Sequence, residues 1–177
     1  YPLSSQLVAR KGTHLQPDAK SLQGKRIGVL AGTSREAFAK ARWAESGVTI
    51  RSFQFNDQLI ASLQSGEIDA TLQDSIEITH AFLSRPQGQA FGFAGPALKD
   101  PMLGTGVAMA LRKTDSNLRD DLNAALERLK QSGQYKAITE RYLSPAISDF
   151  PRYRAKAQDL PFSDSVQIGE TIYLSGV

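Results

Sequence analysis

The chain has no cysteine, two histidines and one tryptophan among 177 residues. Without cysteine, disulfides, thiolate nucleophiles and cysteine-bound metals are excluded, and the redox compartment stays open. The two histidines, His14 in a loop and His80 on a helical stretch, are too few for a histidine-rich metal site. Neither a G-x-S-x-G elbow nor a His-Glu-x-x-His pair occurs. No apolar run reaches membrane-spanning length, and the segment opening at Tyr1 lacks a signal-peptide pattern, so a truncated start is the expectation. Charge of one sign is not concentrated either. Twenty-one basic and eighteen acidic residues leave a net +3 without a basic run, which disfavours nucleic acid as a partner. What remains is 41% hydrophobic residues with ordinary glycine and proline contents, enough for one globular domain.

The chain is organised around residues 24 to 38, GKRIGVLAGTSREAF. Ile27, Val29 and Leu30 form a short apolar run that stops at Ala31-Gly32, and Thr33-Ser34-Arg35-Glu36 is a helix start signal. The pattern reads strand, tight turn, helix. Thr33 and Glu36 have capping-box spacing, which leaves the other first-turn N–H groups at the positive end of the helix dipole. They either meet solvent only or receive a small anion such as a carboxylate. Gly28 and Gly32 do not complete G-x-G-x-x-G and no Gly-Lys-Ser/Thr follows, so nucleotide binding is disfavoured and no cofactor is implied.

In chain order, residues 3 to 9 predict a strand, 10 to 22 a loop, 26 to 31 a strand and 34 to 46 a helix stopped by Gly47, with Trp43 packing at its end. Residues 48 to 55 predict a strand, Asn56 or Asp57 caps a short helix closed by Gly66, and 68 to 73 form a strand delivering Asp74 at its C-terminal end. A helix over 75 to 83, strands over 89 to 94 and 104 to 111, and helices from Asp115 or Ser116 to Gly133 and from 135 to about 142 complete the pattern. Leu118, Leu122, Ala125, Leu126 and Leu129 fall on one helical face, which needs a partner surface. Alternation of strand and helix argues an α/β fold with a parallel, doubly wound sheet. In such sheets ligands bind beyond the carboxyl ends of the strands, where Thr33, Ser34 and Asp74 all fall. Donors for a carboxylate and an acid for an ammonium together match a free amino acid; alternatively Asp74 only caps the helix after it.

The order SLQGKRIGVLAGTSREAFAKARW, LQSGEIDATLQDS, FAGP and GTGVAMALRKTDSNLRDDLNAALERLKQSGQYKAITERYL resembles the periplasmic solute-binding proteins of amino-acid ABC importers, nearest the lysine/arginine/ornithine and histidine binders. The resemblance covers about residues 1 to 143. It implies a type II binding-protein lobe in a three-layer arrangement, followed by two additional C-terminal helices and an extra tail. It also implies a ligand pocket formed by Leu30, Thr33, Ser34, Arg35 and Asp74, with Ser34 and the Arg35 backbone on the carboxylate and Asp74 on the α-ammonium. Arg35 stands where relatives often carry glutamine. The implied partners are an amino acid of the arginine, lysine, ornithine or histidine class and a membrane permease; the implied location is the periplasm.

Two departures accompany the resemblance. The family has further residues before the position of Tyr1 that build most of a first lobe. Without them the resemblance implies weak or no binding by this chain alone, and possible self-association through the first-lobe face of the C-terminal helices. The expected division is 1 to 100 as second lobe, 101 to 143 as returning strand and helices, and 144 to 177 as linker and hairpin tail with Gly169-Glu170 as the turn. DLPFSDSVQIGETIYLSG resembles the opening hairpin of the RidA/YjgF deaminase family, stopping before the arginine its hydrolysis needs. An enzyme is therefore not expected. A deaminase fragment and an interaction module without ligand are the alternative functions.

Overall fold

Three strands with apolar centres make the parallel part of the main sheet: β2 (Arg26–Leu30), β3 (Thr49–Phe53) and β4 (Ala70–Asp74). The computed structural model describes residues 4–104, 106–148, 165–168 and 171–175. The sheet expected to be parallel is mixed: β1 (Ser5–Arg10) runs antiparallel to β4 and to β5 (Phe91–Phe93). The order is β3-β2-β4-β1-β5. β1 is followed by a loop and the single-turn helix α1 (Ala19–Leu22), and its apolar alternation, being the same whichever way a strand runs, carries no sign of its direction. Asp18 caps α1 by accepting from the Ser21 amide at 2.8 Å, inside a stretch expected to be loop.

Side-chain alternation divides the core into two layers. Leu7, Ile27, Val29 and Leu72 point to the face covered by α2 (Ser34–Arg42), where Phe38, Ala39 and Trp43 meet them. Val8 and Ile68 point to the opposite face, against Leu59 and Leu63 of α3 (Asn56–Ser65), Ile78 of α4 (Ser75–Ile78), and Phe82. Phe38 and Trp43 pack edge to face at 5.3 Å, as expected for a tryptophan closing the helix. Gly28 is closely packed: a Cβ there would stand 2.5 Å from Ile68 Cδ1, which would have to shift.

Several boundaries differ from expectation. The helix expected over 34 to 46 is α2 followed by a separate 3-10 turn, Ala44–Ser46, ending at Gly47 with φ 81°. The helix expected over 75 to 83 is α4 plus a wider π-type turn, Thr79–Leu83. Neither Asn56 nor Asp57 caps α3, which begins after Phe55 without a side-chain cap. Asn56 Oδ1 is taken by Gln73 Nε2 at 3.2 Å, and Asp57 Oδ1 by the Gln58 amide.

The chain divides into two compact units, Ser4–Gly104 and a second formed mainly by the residues that follow. In the second unit β6 (Ala108–Arg112) pairs with β8 (Thr171–Ser175), and β8 with β7 (Ser165–Ile168), all antiparallel. The expected hairpin is present with Ile168 opposite Thr171; its expected turn, Gly169-Glu170, lies outside the described residues. Helices α5 (Ser116–Gln131) and α6 (Gln134–Ser148) pack on each other, and α6 runs past its expected end near 142. Asp115 precedes α5 without capping it, because its carboxylate is paired with Arg112 at 3.1 Å. Leu118 is exposed, and the rest of the expected α5 stripe is half-buried.

Candidate functional site

The β2-α2 junction is built by the side chains that flank it. Thr33, extended at φ −96° and ψ 159°, donates from Oγ1 to the Leu30 carbonyl at 2.7 Å and accepts from the Glu36 amide at 3.2 Å. Glu36 does not close the box onto the Thr33 amide. One oxygen accepts from the Gly32 amide at 3.1 Å, while the other accepts from the Ser52 hydroxyl of β3 and pairs with Lys40 at 3.3 Å. The Ser52 hydroxyl, and then the Gly32 amide, hold the Glu36 carboxyl below its ordinary range. Anchored in this way, the turn leaves the amides of Thr33, Ser34 and Arg35 without a hydrogen bond among the described residues. Three adjacent N–H groups at a helix start are suited to an anion.

Asp74 ends β4 and is 3% exposed. Its Oδ1 accepts from the amides of Ile76 at 3.0 Å and Glu77 at 2.9 Å, so it does cap α4. Its Oδ2 accepts nothing among the described residues. The two sequence readings of Asp74 are therefore compatible, one for each oxygen. Alternation from Ala70 and Leu72 puts Asp74 on the sheet face that α2 covers. Register brings the elements together. In the parallel pairing of β2 with β4, Ile27 is level with Ala70 and Gly28 with Thr71, so both strands run toward the same end of the sheet, where the Thr33–Ser34 turn and Asp74 stand.

The other expected residues stand differently. Leu30 packs its side chain with Phe53 against the opposite core layer and serves the turn through its carbonyl. Ser34 is exposed, and Arg35 is half-buried with no side-chain partner among the described residues. Reading the sequence missed the anchoring of Glu36 by Ser52, because no local spacing links positions 16 residues apart. A cavity of about 210 Å³, lined by Arg10, Lys11, Thr13, His14, Gln16 and Gly92 among others, lies at the opposite end of β1 from the strand end paired with Asp74. Among the described residues no helix is long and apolar enough to cross a membrane, and no cluster of three metal-ligating side chains occurs.

The family model for bacterial extracellular solute-binding proteins, family 3, matches residues 18–145. The chain belongs to that family. It is 41% identical over 143 residues to the histidine-binding periplasmic protein of Salmonella typhimurium, covering 80% of this chain and 55% of that one. Identity to the lysine/arginine/ornithine-binding periplasmic protein of Escherichia coli is 38% over 143 residues, with the same shares covered. Among solved structures, an ancestral arginine-binding protein bound to arginine superposes with a TM-score of 0.66 at 26% identity, covering 80% of this chain and 61% of that one. The type II binding-protein fold follows from these matches. The chain spans about half the length of these curated relatives. The family match ends at residue 145, so β7 and β8 lie beyond it.

Proposed function

We propose that the chain is the substrate-binding component, or one lobe of it, of an ABC importer for polar or cationic amino acids. The observation that carries this reading is the pairing of unlike charge preferences at the carboxyl ends of the neighbouring strands β2 and β4. Among the described residues three amides at Thr33–Arg35 are without a hydrogen bond and suit a carboxylate, and Oδ2 of Asp74, on the same sheet face as α2, accepts nothing and suits an ammonium. Ser34 and the Arg35 backbone hold the carboxylate, and Asp74 holds the α-ammonium. Arg35, half-buried and without a side-chain partner among the described residues, adds a cation beside the carboxylate. Nothing in this arrangement activates a bond: it holds a zwitterion by complementary charge, and the chain acts as a binding protein, not an enzyme. The permease partner and the periplasmic location belong to the same reading, supported by the periplasmic relatives at 41% and 38% identity.

The test is a 15N–1H NMR titration of the 177-residue chain with arginine, lysine, ornithine and histidine, a method that registers millimolar affinities. The expected result is a saturable shift of the amides of Ser34, Arg35, Ile76 and Glu77 with at least one of the four. If those amides stay still with all four amino acids, the reading fails.

A further inference from the structure

Three polar atoms in succession at the start of β1 are sealed from solvent without a hydrogen-bond partner among the described residues: Ser4 Oγ just before the strand, then Ser5 Oγ and Gln6 Oε1 within it. Unpaired buried polar atoms are rare in native folds because desolvation is uncompensated, so each calls for a reason. Gln6 stands opposite Gln73, whose amide nitrogen is committed to Asn56 and Thr71, so Gln6 lies at the margin of an existing polar network. Ser5 has a different neighbour. It shares the α2 face with Leu7, and its cross-strand partner is Asp74. Directly opposed residues in an antiparallel pair share a face, with Cβ atoms about 4.5–5.5 Å apart. Ser5 is 2% exposed and Asp74 3%. Among the described residues, a hydroxyl without a partner therefore stands directly across the strand pair from a carboxylate whose Oδ2 also has none.

We propose that Ser5 is a positioning residue of the amino-acid site, its hydroxyl holding the Oδ2 of Asp74 in place for an incoming α-ammonium; this rests on the amino-acid reading above. The α4 amides fix Oδ1 and Ser5 fixes Oδ2, so the carboxylate is oriented at both ends before a ligand arrives. A hydroxyl suits this position because it orients the oxygen while leaving lone pairs for an ammonium, and adds no competing charge. Ser5 belongs to the strand antiparallel to β4, so the acid and its support come from distant parts of the chain joined only by the sheet.

Two measurements on the 177-residue chain test this. The first is a double-mutant cycle in urea, without ligand, using Ser5→Ala and Asp74→Ser; the second substitution keeps a cap acceptor and removes Oδ2. The double variant is expected to lose less than the sum of the single losses, since either change deletes the same bond. Additive losses overturn the pairing, whether or not any ligand binds. The second measurement compares arginine with its analogue lacking the α-amino group. Ser5→Ala is expected to raise the Kd for arginine about three- to tenfold, the range for one lost hydrogen bond, and to leave the analogue's unchanged. Ser5→Thr, which keeps the hydroxyl, stays within about twofold of wild type. An unchanged Kd for arginine, or an equal loss for both ligands, overturns the positioning role. If the wild-type chain binds neither ligand, the amino-acid reading and the ligand role of Ser5 both fail, while the cycle still decides the pairing.

Discussion

Replacing Asp74 separates the two tasks assigned to its oxygens. Asp74→Asn keeps an acceptor for the Ile76 and Glu77 amides but removes the charge; Asp74→Ala removes both. Asn and Asp are nearly equal as N-caps, so the first change should cost stability within about 0.5 kcal/mol, whereas loss of the cap costs about 1–2 kcal/mol. Binding should fall in both variants. A hydrogen bond to a charged group contributes about 1.5–3 kcal/mol, so removing the carboxylate should raise the amino-acid Kd about 10- to 150-fold. Stability is read by urea unfolding through the fluorescence of Trp43, the sole tryptophan, which is buried at 3% exposure in the core layer beneath α2. Affinity is read from the NMR titration. If Asp74→Asn destabilises as much as Asp74→Ala, the capping account is wrong. If Asp74→Asn binds arginine as tightly as wild type, Asp74 does not receive the ammonium.

Two further predictions concern the scaffold that sets the site's register. Gly28→Ala should destabilise by about 1–3 kcal/mol, the usual cost of overpacking, because the new methyl meets Ile68 Cδ1 at 2.5 Å and Phe53 at 3.2 Å. An unfolding midpoint equal to wild type would refute that packing. At the opposite end of β2, Arg26 grips Asp69 through its backbone amide at 2.8 Å and its guanidinium at 3.1 Å. Burial works to raise the Asp69 carboxyl, but the Arg26 hydrogen bonds and charge outweigh it and hold the group below its ordinary range. Its contribution is therefore fully present above the unfolded carboxyl value of about 3.9 and is lost as pH falls through the lower folded value. The gap in stability between wild type and Asp69→Asn should stay level above about pH 5 and shrink below about pH 4. A gap that widens on acidification would reverse the assignment.

How legible the site was depended on the reach of each interaction. Thr33 and Asp74 were readable because caps and strand ends are written in neighbouring residues: a Gly-Thr-Ser turn after an apolar run, an acid closing Ile-Asp-Ala-Thr-Leu-Gln. The same local logic failed at Asn56, Asp57 and Asp115, whose side chains were claimed by Gln73, by the adjacent amide and by Arg112. Local spacing gave Glu36 to the Thr33 amide, whereas β3 brought Ser52 close enough to draw one of its oxygens away. A cap is a competition, and sequence names only one competitor.

By itself the sequence determined most of the strands and helices, though not the single turn of α1, since apolar period and turn chemistry act within a few residues. It also determined that Thr33, Ser34 and Asp74 come at the ends of parallel strands. Tertiary structure alone decided the direction of β1, because alternation of apolar residues is the same whichever way a strand runs. That direction sets Ser5 opposite Asp74, and the parallel pairing of β2 with β4 brings Asp74 and the Thr33–Ser34 turn to the same end of the sheet. Those adjacencies depend on hydrogen bonds between strands some seventy and forty positions apart in the chain, a separation over which no local pattern carries information.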